Sequence, residues 1–109
     1  MTDPAPLLDR PVTATLTTIG PDGAPHAAPV WFVRDGGDVL LSTFVGTQKH
    51  RNVERDPRVS LTVIDPDDPM RYVELRGTVT IEPDPDKVLP DRIVQKHGFE
   101  DAQGFDRPD

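Results

Sequence analysis

The residues best suited to chemistry lie in one short run, Thr47 to Arg55, which reads TQKHRNVER. Thr47 can cap a helix through its hydroxyl, and Asp56-Pro57 ends that helix, because a residue before proline avoids the α region. On the helix Lys49, Asn52 and Val53 share one face by the three- and four-residue spacing. With Val53 packed against the body of the protein, Lys49 and Asn52 would stand at its rim. The helix start adds unpaired N–H groups and the positive end of a dipole. An ammonium, an amide and a set of N–H donors together suit a phosphate group. Arg51 and Arg55 share a neighbouring face. Spacing alone favours a plainer reading, a solvated helix with weak pairs among Arg51, Glu54 and Arg55.

The charge balance sharpens this. The chain of 109 residues carries a net charge of −7, yet residues 39–58 hold four basic and two acidic side chains. One cationic stretch in an acidic protein suits a small anion. Nucleic acid is not an expected partner, because its binding rests on a broad cationic surface. Cysteine is absent, which excludes disulfides and thiolate metal sites and fits a reducing compartment. The start, MTDPAPLLDR, has neither the basic residues nor the apolar stretch of a signal peptide, and no apolar run is long enough to span a bilayer. A cytoplasmic protein without a membrane partner is expected.

Other chemistry-bearing residues are sparse. Trp31 is the sole tryptophan, and on a strand it points opposite to Val30 and Phe32. It reads either as core or dimer contact, or as a flat apolar wall beside a planar ring. His26, His50 and His97 lie far apart and show no zinc spacing, so no metal is expected. GxSxG, P-loop and GxGxxG motifs are absent, and no acid–base pair stands out among the 19 carboxylates. An enzyme built on this chain would depend on a bound cofactor for its chemistry.

The elements that must position these residues are mostly strands. Val12 to Ile19 is rich in β-branched residues, with Val12, Ala14 and Leu16 on one face. Gly20-Pro21-Asp22-Gly23 is a turn, and a second strand spans about His26 to Arg34. Pro29 makes that strand an edge or bulges it. Asp35 to Asp38 turns into a third strand, Val39 to Thr43. After the polar helix come Arg58 to Ile64 and then Tyr72 to Glu82, where Val73, Leu75, Val79 and Ile81 face inward. Gly77 marks a bend or a close backbone approach. Residues 84–97 read as a helix with Leu89 and Ile93 on one face, stopped by Gly98. Both termini read as loosely packed, the last residues being polar with no element to bury them. The whole is mainly β with minor α: one domain over residues 1–109, a small antiparallel barrel with a short helix between strands and a C-terminal helix.

In order, LTTIGPDGAPHAAPVWF, DGGDVLLSTF, GTQKHRNVERDPRVSLTV and YVELRGTVTI resemble the pyridoxamine 5′-phosphate oxidase-like split β-barrel family. Within it the chain looks most like the flavin/deazaflavin oxidoreductase B group, which uses coenzyme F-420. The resemblance covers about residues 8–97. It implies a homodimer with the cofactor at the interface and hydride transfer to or from a small organic substrate. Carried over, Lys49 and Asn52 would hold the cofactor phosphate, and Val30, Trp31 and Phe32 would line the ring system. Ser42 and Thr43 would offer hydroxyl or backbone groups. Arg51 and Arg55 would meet further acidic groups, and Arg71 would reach over from the partner subunit. FMN is the alternative cofactor, in an enzyme of the pyridoxamine phosphate oxidase kind, and a non-catalytic F-420 or flavin carrier needs the same groove. The family continues into a last strand, whereas this chain stops at Asp109, so it reads either as C-terminally truncated or as a barrel one strand short.

Overall fold

Alternation along the first strand sets the sheet. Val12, Ala14, Leu16 and Thr18 are all buried, while Thr13 and Thr15 are exposed. In the computed structural model, which describes residues 3–102, Ala14–Ile19 forms β1. A turn at Gly20–Gly23 leads into β2 (Pro25–Val30), which pairs antiparallel with β1 from Ile19↔Pro25 to Ala14↔Val30. Gly23 adopts a φ of 82°, and the Asp22 carboxylate accepts from the Ala24 N–H, so Gly and Asp do here what turn chemistry asks of them.

The long second strand expected from the sequence is broken. It stops at Val30, passes through Trp31-Phe32, and resumes as β3 (Val33–Asp35), which among the described residues pairs only with β4 (Asp38–Leu40). The chain changes sheet at this point, and Phe32 goes into the core with no exposed surface. β4 is also shorter than expected, so Ser42 and Thr43 lie in the irregular segment that leads to the next helix.

That helix is α2 (Gln48–Arg55), and it feeds β5 (Arg58–Ile64) and β6 (Tyr72–Thr78). The main sheet has the order β2-β1-β5-β6, antiparallel throughout, with β3-β4 as a separate ribbon. Pro29 therefore sits on an edge strand, where its missing N–H costs no ladder bond. β6 ends at Thr78, four residues before Glu82, because its partner begins at Arg58. One further backbone bond, Val79 N–H to the Pro57 carbonyl at 3.0 Å, closes the pairing. Gly77 pairs regularly with Val59 and a Cβ there would meet nothing, so the expected bend or close approach is absent.

The fold is mainly β, an antiparallel split-barrel arrangement that does not close among the described residues. Its core joins Leu7, Leu8, Val12, Ala14, Leu16, Phe32, Leu61 and Val63. Leu7 and Leu8 come from a short N-terminal helix, α1 (Ala5–Leu8), which corrects the expectation of a loose N-terminus. The C-terminal helix, α3 (Val88–Lys96), starts four residues later than the sequence suggested. Lys87 precedes it in the left-handed region, and the Asp84 carboxylate accepts from the Val88 and Leu89 N–H groups. Ile93 and Val94 are its buried residues; Leu89 is only half-buried. Gly98, with a φ of 92°, stops the helix as its position predicts. The polar end expected at residues 103–109 lies outside the described residues.

Candidate functional site

α2 is built around its cap. The Thr47 hydroxyl accepts from the His50 N–H at 3.3 Å, donates to the Phe44 carbonyl at 3.0 Å and lies 3.1 Å from the Thr43 hydroxyl. Gly46, with a φ of 89°, turns the chain so that its own N–H donates to His50 Nδ1 at 3.2 Å. Thr43 thus touches the cap of the helix, while Ser42 stands exposed beside it. The first turn of α2 carries no acidic residue, so nothing on the helix neutralises its positive end.

The buried face of α2 differs from the one anticipated. Val53 is half-buried, and Asn52 is the residue that enters the protein, with no exposed surface. Asn52 Nδ2 donates to Thr18 Oγ1 at 2.9 Å, while its Oδ1 accepts from Gln48 Nε2 at 2.6 Å and from Arg55 at 3.2 Å. Lys49 is also buried, at 8% exposure, and burial pushes its ammonium below the ordinary lysine range. A cation held in a dry place favours a neighbouring anion more strongly than a solvated one would.

The arginines of α2 are exposed and hydrogen-bonded locally. Arg51 donates to the Gly46 carbonyl and to Gln48, and Arg55 to the Ile19 carbonyl at 2.7 Å. Gln48 and Asn52 border a depression of about 440 Å³, whose other wall is the β1–β2 turn and His26. Arg71 lies apart from this group in the acidic loop, its Nε 4.0 Å from Asp65 Oδ2.

A second group gathers at Trp31, in the crossover between β2 and β3. Its indole N–H donates to Thr13 Oγ1 at 3.1 Å. Its ring stacks on the His97 imidazole, with centroids 3.8 Å apart and planes 6° from parallel, and Phe99 lies 6.1 Å away. Phe99 lies against that ring yet stays 46% exposed, so the segment after Gly98 is as little buried as expected through residue 101. Lys96 donates to the Leu8 and Phe32 carbonyls at 2.6 and 3.1 Å and sits 3.9 Å above the Phe32 ring. Among the described residues no group of three His, Asp or Glu is placed to hold a metal, and no helix is long and apolar enough to cross a membrane.

The fold that carries these residues has counterparts among known proteins. The family described as pyridoxamine 5′-phosphate oxidase matches residues 5–106. This chain belongs to that family. Among solved structures the oxidase-family chain is similar to an F420 reductase, with 42% identity and a TM-score of 0.67 over 70% of this chain and 60% of the reductase. It is similar as well to the conserved hypothetical protein Rv2991 from Mycobacterium tuberculosis, with 29% identity and a TM-score of 0.75 over 96% of this chain and 72% of that one. A heme binding protein from Mycobacterium smegmatis, 21% identical with a TM-score of 0.59 over 94% of this chain and 44% of its own, shares the fold. The chain thus spans less than two thirds of the length of the F420 reductase. No curated protein matches it.

Sequence reasoning missed three residues. Thr18 continues the even-numbered inner series of β1, and that parity was the available signal. His97 and Lys96 gave none, because their partners lie 64 or more positions away or across the fold.

Proposed function

We propose that this chain is an oxidoreductase subunit that binds coenzyme F-420 and serves hydride transfer to or from a small organic substrate. The observation that carries the reading is Lys49: a buried ammonium in the first turn of a helix with no acidic residue there. These groups fit a phosphate, through charge, N–H donors and the helix dipole together. The 42% identity with an F420 reductase favours the deazaflavin over FMN. When bound, the cofactor would supply the hydride chemistry, which the side chains alone do not offer. Lys49 would neutralise the phosphate, and Arg51 and Arg55 would meet further acidic groups. Ser42 and Thr43 would offer hydroxyls beside the helix cap. Val30 and Trp31 would set the ring plane and exclude water, so that rate comes from orientation. Phe32, expected to line the ring, is wholly buried beneath Lys96 and would only support them from the core. Asn52 would act through placement of the helix rather than by contact with phosphate, because its amide is engaged with Thr18, Gln48 and Arg55.

A second copy of the chain would complete the groove. Tyr72 and Ile64, paired across β6 and β5, are 64% and 54% exposed, and Met70 beside them is 86% exposed. Apolar surface of this kind on the edge strand of an unclosed barrel favours a homodimer, to which Arg71 from the same loop would contribute.

Titration of the purified protein with F-420, FMN and FAD, followed by flavin or deazaflavin fluorescence, tests the reading. Tightest binding of F-420 is expected, with FMN weaker. A preference for FMN would replace F-420 by the flavin, and binding of none would remove the cofactor from the account. Turnover with reduced F-420 separates the enzyme from a carrier.

A further inference from the structure

The rings at Trp31 bear on how a planar ligand would enter. An imidazole 3.8 Å from the indole and 6° from parallel occupies the position a flat conjugated ring would take. His97 also carries an unfavourable feature there: its Nε2 is buried without a hydrogen-bond partner among the described residues. A side chain that stacks well and leaves a polar atom unsatisfied is held only modestly.

α3 is fixed by Ile93, Val94 and the Lys96 bonds to Leu8 and Phe32. His97 itself caps α3, its N–H bonded to the Val94 carbonyl at 3.0 Å, so its backbone stays with the helix and its imidazole moves by turning about its own side-chain bonds. The chain turns after it at Gly98, with a φ of 92°. The turn is tied back by bonds to α3: Gln95 Nε2 to the Glu100 carbonyl, and the Ala102 N–H to Asp91, at 3.1 and 2.9 Å. Bonds of this kind near solvent open locally at low cost.

Resting on the cofactor reading above, we propose that the His97 imidazole is a displaceable plug. It fills the ring face of Trp31 in the ligand-free protein and rotates away about its side-chain bonds when a flavin or deazaflavin ring stacks there. The plug keeps the apolar face of Trp31 from open solvent and taxes binding by the energy of its own stack.

Because Trp31 is the only tryptophan, its emission reads this face directly. FMN and F-420 are titrated into the wild type, His97→Ala and His97→Phe, and Trp31 quenching is followed. His97→Ala removes the competitor and is expected to tighten binding about three- to tenfold. His97→Phe keeps a stacking ring without the orphaned nitrogen, and is expected to weaken binding by a similar factor. Opposite shifts in two variants cannot come from a general loss of folding. Equal affinity for all three proteins, or weaker binding by His97→Ala, overturns the plug while leaving the cofactor reading intact. Absence of binding in all three overturns the cofactor reading, and the plug with it.

Discussion

Asn52 on α2 donates its side-chain amide to the hydroxyl of Thr18 on β1, 34 positions earlier, at 2.9 Å, and neither residue exposes any surface. This bond seats the helix on the sheet by polar rather than apolar contact. It works because each partner removes the other's unmet hydrogen-bonding need, which burial would otherwise make costly. Seating α2 this way sets the height of Lys49 and the helix start above the sheet.

The first prediction concerns that bond. Asn52→Ala leaves the Thr18 hydroxyl and the Gln48 amide without their partner, and is expected to cost about 1–3 kcal/mol. The thermal midpoint should fall by about 4–8 °C for each kcal/mol. In a double-mutant cycle with Thr18→Val, coupling of at least about 0.5 kcal/mol is expected in urea unfolding. Additive effects of the two substitutions would show that the contact does not seat the helix.

The second prediction separates charge from stability at Lys49. Lys49→Met is expected to weaken F-420 or FMN binding by tenfold or more. Burial pushes the Lys49 ammonium below 10.5, so between its lowered value and 10.5 the unfolded chain binds more protons than the folded one. Stability therefore rises with pH across that window as the buried charge is relieved. Lys49→Met should flatten part of the rise in urea midpoints measured on the alkaline side. Part should remain, because burial lowers Lys96 in the same direction. An unchanged slope in the variant would mean that Lys49 stays solvated in solution.

Local signals and long-range ones were unequally legible in the sequence. The Gly20–Gly23 turn, the edge position of Pro29, the Thr47 cap and the inner rows of β1 and β5 follow from chemistry within a few residues, and all are present. The break at Trp31 was not legible, because Val30 to Val33 is one unbroken apolar run through the point where the chain leaves one sheet for another. Nor was the inward turn of Asn52. A hydrophobic rule picks Val53 as the buried residue, whereas the outcome depends on a hydroxyl placed opposite by β1. Lys49 and Trp31 were the candidates legible in the sequence; Thr18, Lys96 and His97, which pack around α2 and the Trp31 crossover, were not.

A third prediction concerns the end of α2. Asp56 accepts from the Arg58 side chain and N–H, and these bonds, with the nearby Arg58 charge, hold its carboxyl down to about 2. A folded value below 3.8 means the folded state binds fewer protons than the unfolded one between about 2 and 3.8. The stabilisation is complete above that range and is lost as pH falls through it. An NMR titration of the Asp56 carboxyl should give a midpoint near 2, and Arg58→Ala should raise it toward 3.8. A midpoint already near 3.8 in the wild type would mean that the pair does not persist in water.

The last prediction tests how α3 is held. The Lys96 ammonium satisfies two backbone carbonyls, Leu8 at the end of α1 and Phe32 at the sheet crossover, and lies over the Phe32 ring. One side chain therefore joins three segments that are distant in sequence. Lys96→Met keeps the length and apolar stem but removes all the donors, which leaves both carbonyls to water or unpaired. The expected cost is about 1–3 kcal/mol. Its distribution is more diagnostic than its size. Amide exchange should speed up in α1 and α3 together, while β1 and β5, held by their ladder and by Leu16, Leu61 and Val63, keep their protection relative to the global stability. Uniform acceleration across the sheet and both helices would instead make Lys96 part of the global core, and loss confined to α3 would mean that the bond to Leu8 carries no weight.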